Sequence, residues 1–169
     1  MKKTKFISKT LYVVTSLLAF LYFVTTAYAI GCKTLGINIH YTQKQEVIEY
    51  PFTDIPFLLL HDTWRYWIFS FLIPLLFYTL FFFFLSNVFK VFFQPRIFTK
   101  SNIIHLKRFY WHNLFASIIL MFIAYLFVEL ETPVFIIVSL HIFLGIFVFI
   151  LSEIFNQGLH LQNEQDLYI

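Results

Sequence analysis

Four stretches of this chain carry no charged residue: those between Lys9 and Lys33, Arg65 and Lys90, Arg108 and Glu129, and Glu131 and Glu153. Each is at least about 20 residues long, the length a helix needs to cross the hydrocarbon core of a bilayer. Together they take up about half of the 169 residues. A soluble domain carries about 25% charged residues. Here 12% are charged, 60% are hydrophobic and the mean hydropathy is +0.78. That is too little charge to wet a globular surface, which excludes an ordinary soluble enzyme. Intrinsic disorder is excluded as well, since it needs low hydrophobicity and high charge. The expected fold is an all-α integral membrane protein, a four-transmembrane-helix bundle forming a single domain over 1–169. Its spans are expected at about 10–31, 66–89, 109–129 and 133–153.

Lys and Arg in short loops orient such a bundle. The N-terminal tail holds Lys2, Lys3, Lys5 and Lys9, and the 90–108 connection holds Lys90, Arg96, Lys100, Lys107 and Arg108. The longer 32–65 connection has only Lys33, Lys44 and Arg65, and the last turn has none. This predicts cytoplasmic N- and C-termini, an outer loop of about 35 residues at 32–65, an inner loop at 90–108 and a cytoplasmic tail at 154–169. The location implied is the cell (inner, cytoplasmic) membrane, with multiple passes. The N-terminal lysines and the Thr26-Ala27-Tyr28-Ala29 sequence imitate a secretory signal with its cleavage site. The apolar run from Thr10 to Ile30 exceeds the roughly 7–15 residues of a signal core, so a retained anchor is expected.

Tyr12, Thr15, Ala19, Tyr22, Thr26 and Ala29 recur every three or four residues and form one face of span one. Small and hydroxyl residues mark helix contacts in lipid, so this face should pack inward while Phe20 and Phe23 face lipid. In the outer loop, Ile37, Ile39 and Tyr41 alternate with polar residues, as Val47 to Tyr50 do more weakly. A short hairpin is expected there, too small to fold alone. Trp64, Tyr66 and Trp67 mark the membrane interface where span two begins. Pro74 removes the hydrogen bond to the Ser70 carbonyl and should kink that span. Thr132-Pro133 suits an N-cap followed by the first helical residue, making spans three and four a hairpin.

Two segments carry patterned residues. In the inner connection, Phe98 is followed by Thr99, a good N-cap. Asn102 stands at the third helical position, where a capping side chain reaches back. Ile103, Leu106 and Tyr110 follow at helical spacing. Lys107 and Arg108 fall where anionic headgroups would lie. At the C-terminus, Glu153-Ile154-Phe155 precedes Gly158, which suits a left-handed helix cap with Leu159 folding back on Ile154. Leu161, Glu164, Asp166, Leu167 and Ile169 follow.

These segments, with four spans and a long first outer loop, resemble a bacterial family of four-span membrane proteins known as domain of unknown function 2975. Phe98, Thr99, Asn102, Ile103 and Leu106 match its inner-loop pattern. Glu153, Ile154, Phe155, Gly158, Leu161, Glu164, Asp166, Leu167 and Ile169 match its C-terminal pattern. Ile97 stands where many members have Pro or Ala, and Tyr168 where Thr is usual. The resemblance implies no particular activity. Its members are often encoded beside a small helix-turn-helix regulator, which implies a cytosolic partner.

The chemistry-bearing residues are few. His141 is the deepest ionisable residue, and an ionisable group inside a membrane is a functional candidate by default. The structural alternative is a neutral ring hydrogen-bonded to a Ser or Tyr of a neighbouring span, with no second ionisable group at its depth. His105 and His112 share a helix face at seven-residue spacing, too far apart to share a metal, and are expected to face solvent or headgroups. His40, His61 and Cys32 could meet in the outer loop, but no ligand spacing supports a metal. Glu153 is expected to pair with Lys90, Lys107 or Arg108. No nucleophile motif, phosphate loop or zinc signature is present. The expectation is therefore no catalytic residue, no metal, no cofactor and no direct contact with nucleic acid.

The function expected is a non-enzymatic membrane interaction or regulatory protein. It would meet a cytosolic partner through Phe98, Thr99, Asn102 and Leu106 of the inner loop. Glu153, Gly158, Leu161, Asp166 and Leu167 of the tail would complete the contact. The alternative is a small transporter or channel component, active as a homo-oligomer, in which His141 is the intramembrane polar residue. The lipid bilayer is the surrounding partner in both.

Overall fold

The computed structural model describes residues 2–42, 45–61 and 63–166. The chain is mostly helical, with one small sheet. Helix α1 spans Lys2–Leu35, so it starts within the lysine-rich tail rather than at residue 10. It ends at Gly36, whose φ of 66° is the left-handed conformation that glycine adopts without strain; its N–H donates to the Cys32 carbonyl at 2.9 Å. Strands β1 (Ile39–Tyr41), β2 (Gln45–Glu49) and β3 (Pro56–His61) follow as an antiparallel sheet in the order β1-β2-β3. In its register Ile39 faces Ile48 and Val47 faces Leu59. The sheet corrects the all-α expectation. Alternation revealed its first two strands. The third, Pro-Phe-Leu-Leu-Leu-His, has no alternation to reveal it.

Helix α2 (Trp64–Tyr66) leads into a π-helical segment, Trp67–Leu72, and then α3 (Ile73–Val91). Pro74 sits at the start of α3. It lacks an N–H and its ring crowds the carbonyl four residues back, and a widened turn ahead of it relieves both problems. Helix α4 (Lys100–Trp111) passes through a second π-helical segment, His112–Ala116, into α5 (Ser117–Tyr125). After a turn, α6 runs unbroken over Thr132–Asp166. Its first turn is closed by the Val134 N–H donating to the Glu131 carbonyl at 3.0 Å, one residue earlier than a Thr132 cap would place it.

Three helical runs are long and apolar enough to cross a membrane: Lys2–Leu35, Trp64–Val91 and Thr132–Gln165. The 100–125 run, expected to hold the third span, is not among them. His112, Asn113 and Ser117 lie in its middle and lower its hydropathy.

Helix α1 packs along α3 through Thr15, Ala19 and Thr26 of the expected small and hydroxyl face, with Ser8 extending it, while Phe20 and Phe23 are exposed. Two apolar cores form at opposite ends. At the sheet end, Ile48 and Leu60 close over Ala29 and Cys32 of α1. At the other end, Val88 and Val91 of α3 meet Ile103, Leu106 and Phe109 of α4 and Phe155 of α6. The Tyr12–Phe93 ring contact at 5.6 Å brings the lysine-rich start of α1 to this second end. The Phe92–Phe155 contact at 5.9 Å does the same for the end of α6.

Candidate functional site

The patterned residues of the 97–106 and 153–161 segments form a clasp rather than a display. Thr99 caps α4, its Oγ1 accepting from the Asn102 N–H at 3.2 Å. The Asn102 side chain works in the opposite sense to a capping-box Glu or Gln. It donates through Nδ2 to the carbonyls of Arg96 at 3.1 Å and Ile97 at 2.8 Å, fastening the turn that precedes the helix. Leu106 is fully buried. Phe98 lays its ring edge-on to Phe155 at 5.3 Å and over Gly158. A Cβ at residue 158 would lie 2.8 Å from two atoms of that ring. This overturns the expectation of a helix stop at Gly158. The helix continues to Asp166, and the glycine is there to let an aromatic ring come close.

Glu153 makes no ion pair with Lys90, Lys107 or Arg108. Helix α6 packs through Ser152 and Phe155, and residue 153 is turned about 100° off the Ser152 direction. Leu161 is 61% exposed on the helical extension. Asp166 ends α6, and Leu167 lies outside the described residues.

The second site is a polar cluster within the helical runs. Asn113 is fully buried and donates through Nδ2 to the Phe109 carbonyl at 2.8 Å. That leaves Oδ1 to face His141, whose Nδ1 is 2.8 Å away. An amide oxygen only accepts, so His141 Nδ1 carries the hydrogen, and in the neutral ring Nε2 is the acceptor. Ser117 donates to the Asn113 carbonyl one turn on. His112 is buried too, and its Nε2 donates to the Phe77 carbonyl at 3.2 Å. The Phe77 ring lies between the two imidazoles, stacked on His112 at 4.4 Å and edge-on to His141 at 4.9 Å. Two sequence expectations are corrected here. His112 faces the interior, not headgroups. His141 is bonded to an Asn rather than a Ser or Tyr, and it has a second ionisable residue beside it.

Sequence reasoning missed His112, Asn113, Phe77 and Gly145. Gly145 admits α6 to the second π segment, because a Cβ there would lie 2.7 Å from Leu114 Cγ. The usable signals were three polar residues at 112, 113 and 117 inside an uncharged stretch, and a glycine one turn after the only histidine of span four.

Above this cluster lies a cavity of about 410 Å³. Ser117 and His141 are at one extreme of its lining, and Glu129 and Glu131 of the α5–α6 turn at the other. Tyr66, Phe69, Pro74 and Tyr78 form the α2–α3 wall. Pro74, at the end of its widened turn, thus borders the cavity.

The sheet is tied to α1 by polar contacts. Lys33 pairs with the fully buried Glu46, and the Tyr28 hydroxyl donates to the Glu49 carbonyl at 2.6 Å. Within the sheet, His40 Nδ1 of β1 lies 2.9 Å from Glu49 of β2. Among the described residues, no three of His, Cys, Asp and Glu come together as metal ligands. At the lysine-rich end, burial together with the charges of Lys90 and Arg108 holds the His105 imidazole below its ordinary value.

No curated protein and no solved structure matches this sequence. The family described as Protein of unknown function (DUF2975) matches residues 40–169, which take in the sheet, the cavity, the polar cluster and the clasp, and the chain belongs to that family.

Proposed function

We propose that this is a non-enzymatic, four-span protein of the cytoplasmic membrane with both ends on the cytoplasmic side. It relays the state of its outer half to a cytosolic regulatory partner. The observation that carries this reading is the continuity of α6. One 35-residue helix borders the cavity at Val134, Val138 and His141, passes through the clasp at Phe155 and Gly158, and projects beyond it. At about 1.5 Å per residue it reaches across a bilayer and out of it. The orientation rests on the gathering of the N-terminal lysines, the 90–108 cations and the end of α6 at one end of the molecule. The third span in this reading is about 109–129, so it leaves His105 outside and takes in the 100–125 run from Phe109 onward. Its polar middle is tolerated because α3 and α6 cover it.

The clasp narrows the partner surface. Asn102 and Leu106 are buried and unavailable to a partner. Ile154 and Leu161 are 53% and 61% exposed and stand seven residues apart, so they share one face of α6. Such a face suits a groove on a small helical regulator. The test is photo-cross-linking in intact cells from position 161, with position 106 as the buried control. Capture of one cytosolic protein from position 161 alone is the expected result. Lipid or copies of the chain alone would overturn it.

The buried set His112, Asn113 and His141 favours a second reading, an oligomeric transporter or channel component. Proteoliposomes in which flux is lost in His141→Ala while folding is kept would establish that reading instead.

A further inference from the structure

We propose that the cavity between α3, α5 and α6 is a binding site for a cationic amphiphile, held with its charge at the α5–α6 turn and its apolar body inside. Its volume, about 410 Å³, falls in the range of small-molecule sites, which run from about 300 to 1,000 Å³. From Pro133 to His141 it follows α6 for about 12 Å. The wall along that length is apolar and aromatic, with Ile73, Leu120, Ile137 and Val138 beside Phe77 and Tyr78.

The sign of the ligand follows from the mouth. Glu129 and Glu131 both border it, and among the described residues no Lys or Arg lines the cavity. Neither carboxylate forms an ion pair among the described residues. Arg65 lines an adjoining depression with Glu129. Its guanidinium lies over the Trp64 ring, 5.8 Å from the centroid, and makes no ion pair with Glu129. Tyr66 and Phe69 line the site near the mouth. One face of each ring is covered, by His61 and by Phe127, and an uncovered aromatic face attracts an organic cation by its quadrupole. A strongly hydrated metal ion would gain nothing from the apolar wall. A fatty acid would bring its carboxylate against two others. An amine or onium group on an apolar body suits both halves of the site. This inference requires no cytosolic partner and stands apart from the relay reading.

The test uses a matched pair of probes, tetraphenylphosphonium and tetraphenylborate, which share size and shape and differ in the sign of charge. The full chain would be placed in nanodiscs of zwitterionic lipid, with empty nanodiscs subtracted. Saturable one-to-one binding of the phosphonium is expected, at least about tenfold tighter than the borate. Glu129→Gln with Glu131→Gln should weaken phosphonium binding about tenfold and leave the borate unchanged or improved. Both residues are exposed, so that variant keeps its fold. Val138→Trp should abolish phosphonium binding by filling the cavity. Equal affinity for the two ions, no saturable phosphonium binding, or binding indifferent to the Glu changes would each overturn the proposal.

Discussion

The two ends of the molecule are held by different physics. At the lysine-rich end, contact is by shape. Phe155 sits between Phe92 and Phe98, Gly158 admits the Phe98 ring, and Leu106 fills the centre. None of the five cations of 90–108 forms an ion pair among the described residues. In the proposed orientation they face anionic headgroups, where each is worth about 1 kcal/mol of attraction. At the sheet end, charges are spent inside the fold. A three-stranded sheet this short has little core of its own, so the Lys33–Glu46 pair fastens it to α1, while His40 beside Glu49 joins β1 to β2. The lesson is that the chain uses close packing where its charges are needed outside, and ion pairs where packing is thin.

The largest effect should come from breaking the packed end. Leu106→Ala removes a fully buried side chain from the centre of the clasp and should cost about 4 kcal/mol. Unfolding in mixed micelles, followed by circular dichroism, measures it. Next is the charged end. Lys33→Met strands Glu46, which is wholly buried while Lys33 keeps 32% of its side-chain exposure. A loss of about 3 kcal/mol is expected, local to the sheet. It should appear as faster amide exchange at 45–49 and 56–61 with the 100–110 amides unchanged, and Lys33→Met with Glu46→Met should recover most of it. Third, Gly158→Ala sets overpacking of about 1–3 kcal/mol against a helix-propensity gain of about 1 kcal/mol, for a net loss near 1 kcal/mol. Phe98→Leu in the same chain should relieve it, and a double-mutant cycle would show the coupling. The smallest effect concerns pH. His105 binds a proton less readily folded than unfolded, so the fold loses stability as pH falls below 6.5. His105→Gln should flatten that slope in an acid titration, whereas the sheet end should respond to pH the same way in both chains.

The contrast between the ends also explains what was legible. Helix α1, its small-residue face, the Thr99 cap and the β1–β2 hairpin follow from local periodicity and capping chemistry, which a sequence states directly. Gly158 shows the limit. Its type was compatible with a helix stop, and only the position of Phe98, sixty residues away, decided for a close approach. The polar cluster was half visible. His141 stood out by depth, but its link to Asn113 and its neighbour His112 depend on α6 meeting α4 and α5 at a particular height. The cavity was not legible at all, since it is the space left by three packed helices, and no single residue encodes a space.

The second π segment has a consequence for angular phase. Residues four apart on an α-helix drift about 40° around the axis per step, because 3.6 residues close a turn. Over Phe109, Asn113 and Ser117 that drift would carry Ser117 out of line. The looser winding of 112–116 cancels part of it, so the Asn113 and Ser117 bonds run in one file along the buried face. A one-residue deletion inside this segment would let the wide turn close to an ordinary α turn and leave α4 and α5 nearly in phase. The same deletion in the regular part of α5 would swing everything beyond it, and with it the far wall of the cavity, by about 100°. The wide turn thus stores one residue more than a regular turn without rotating one half of the helix against the other.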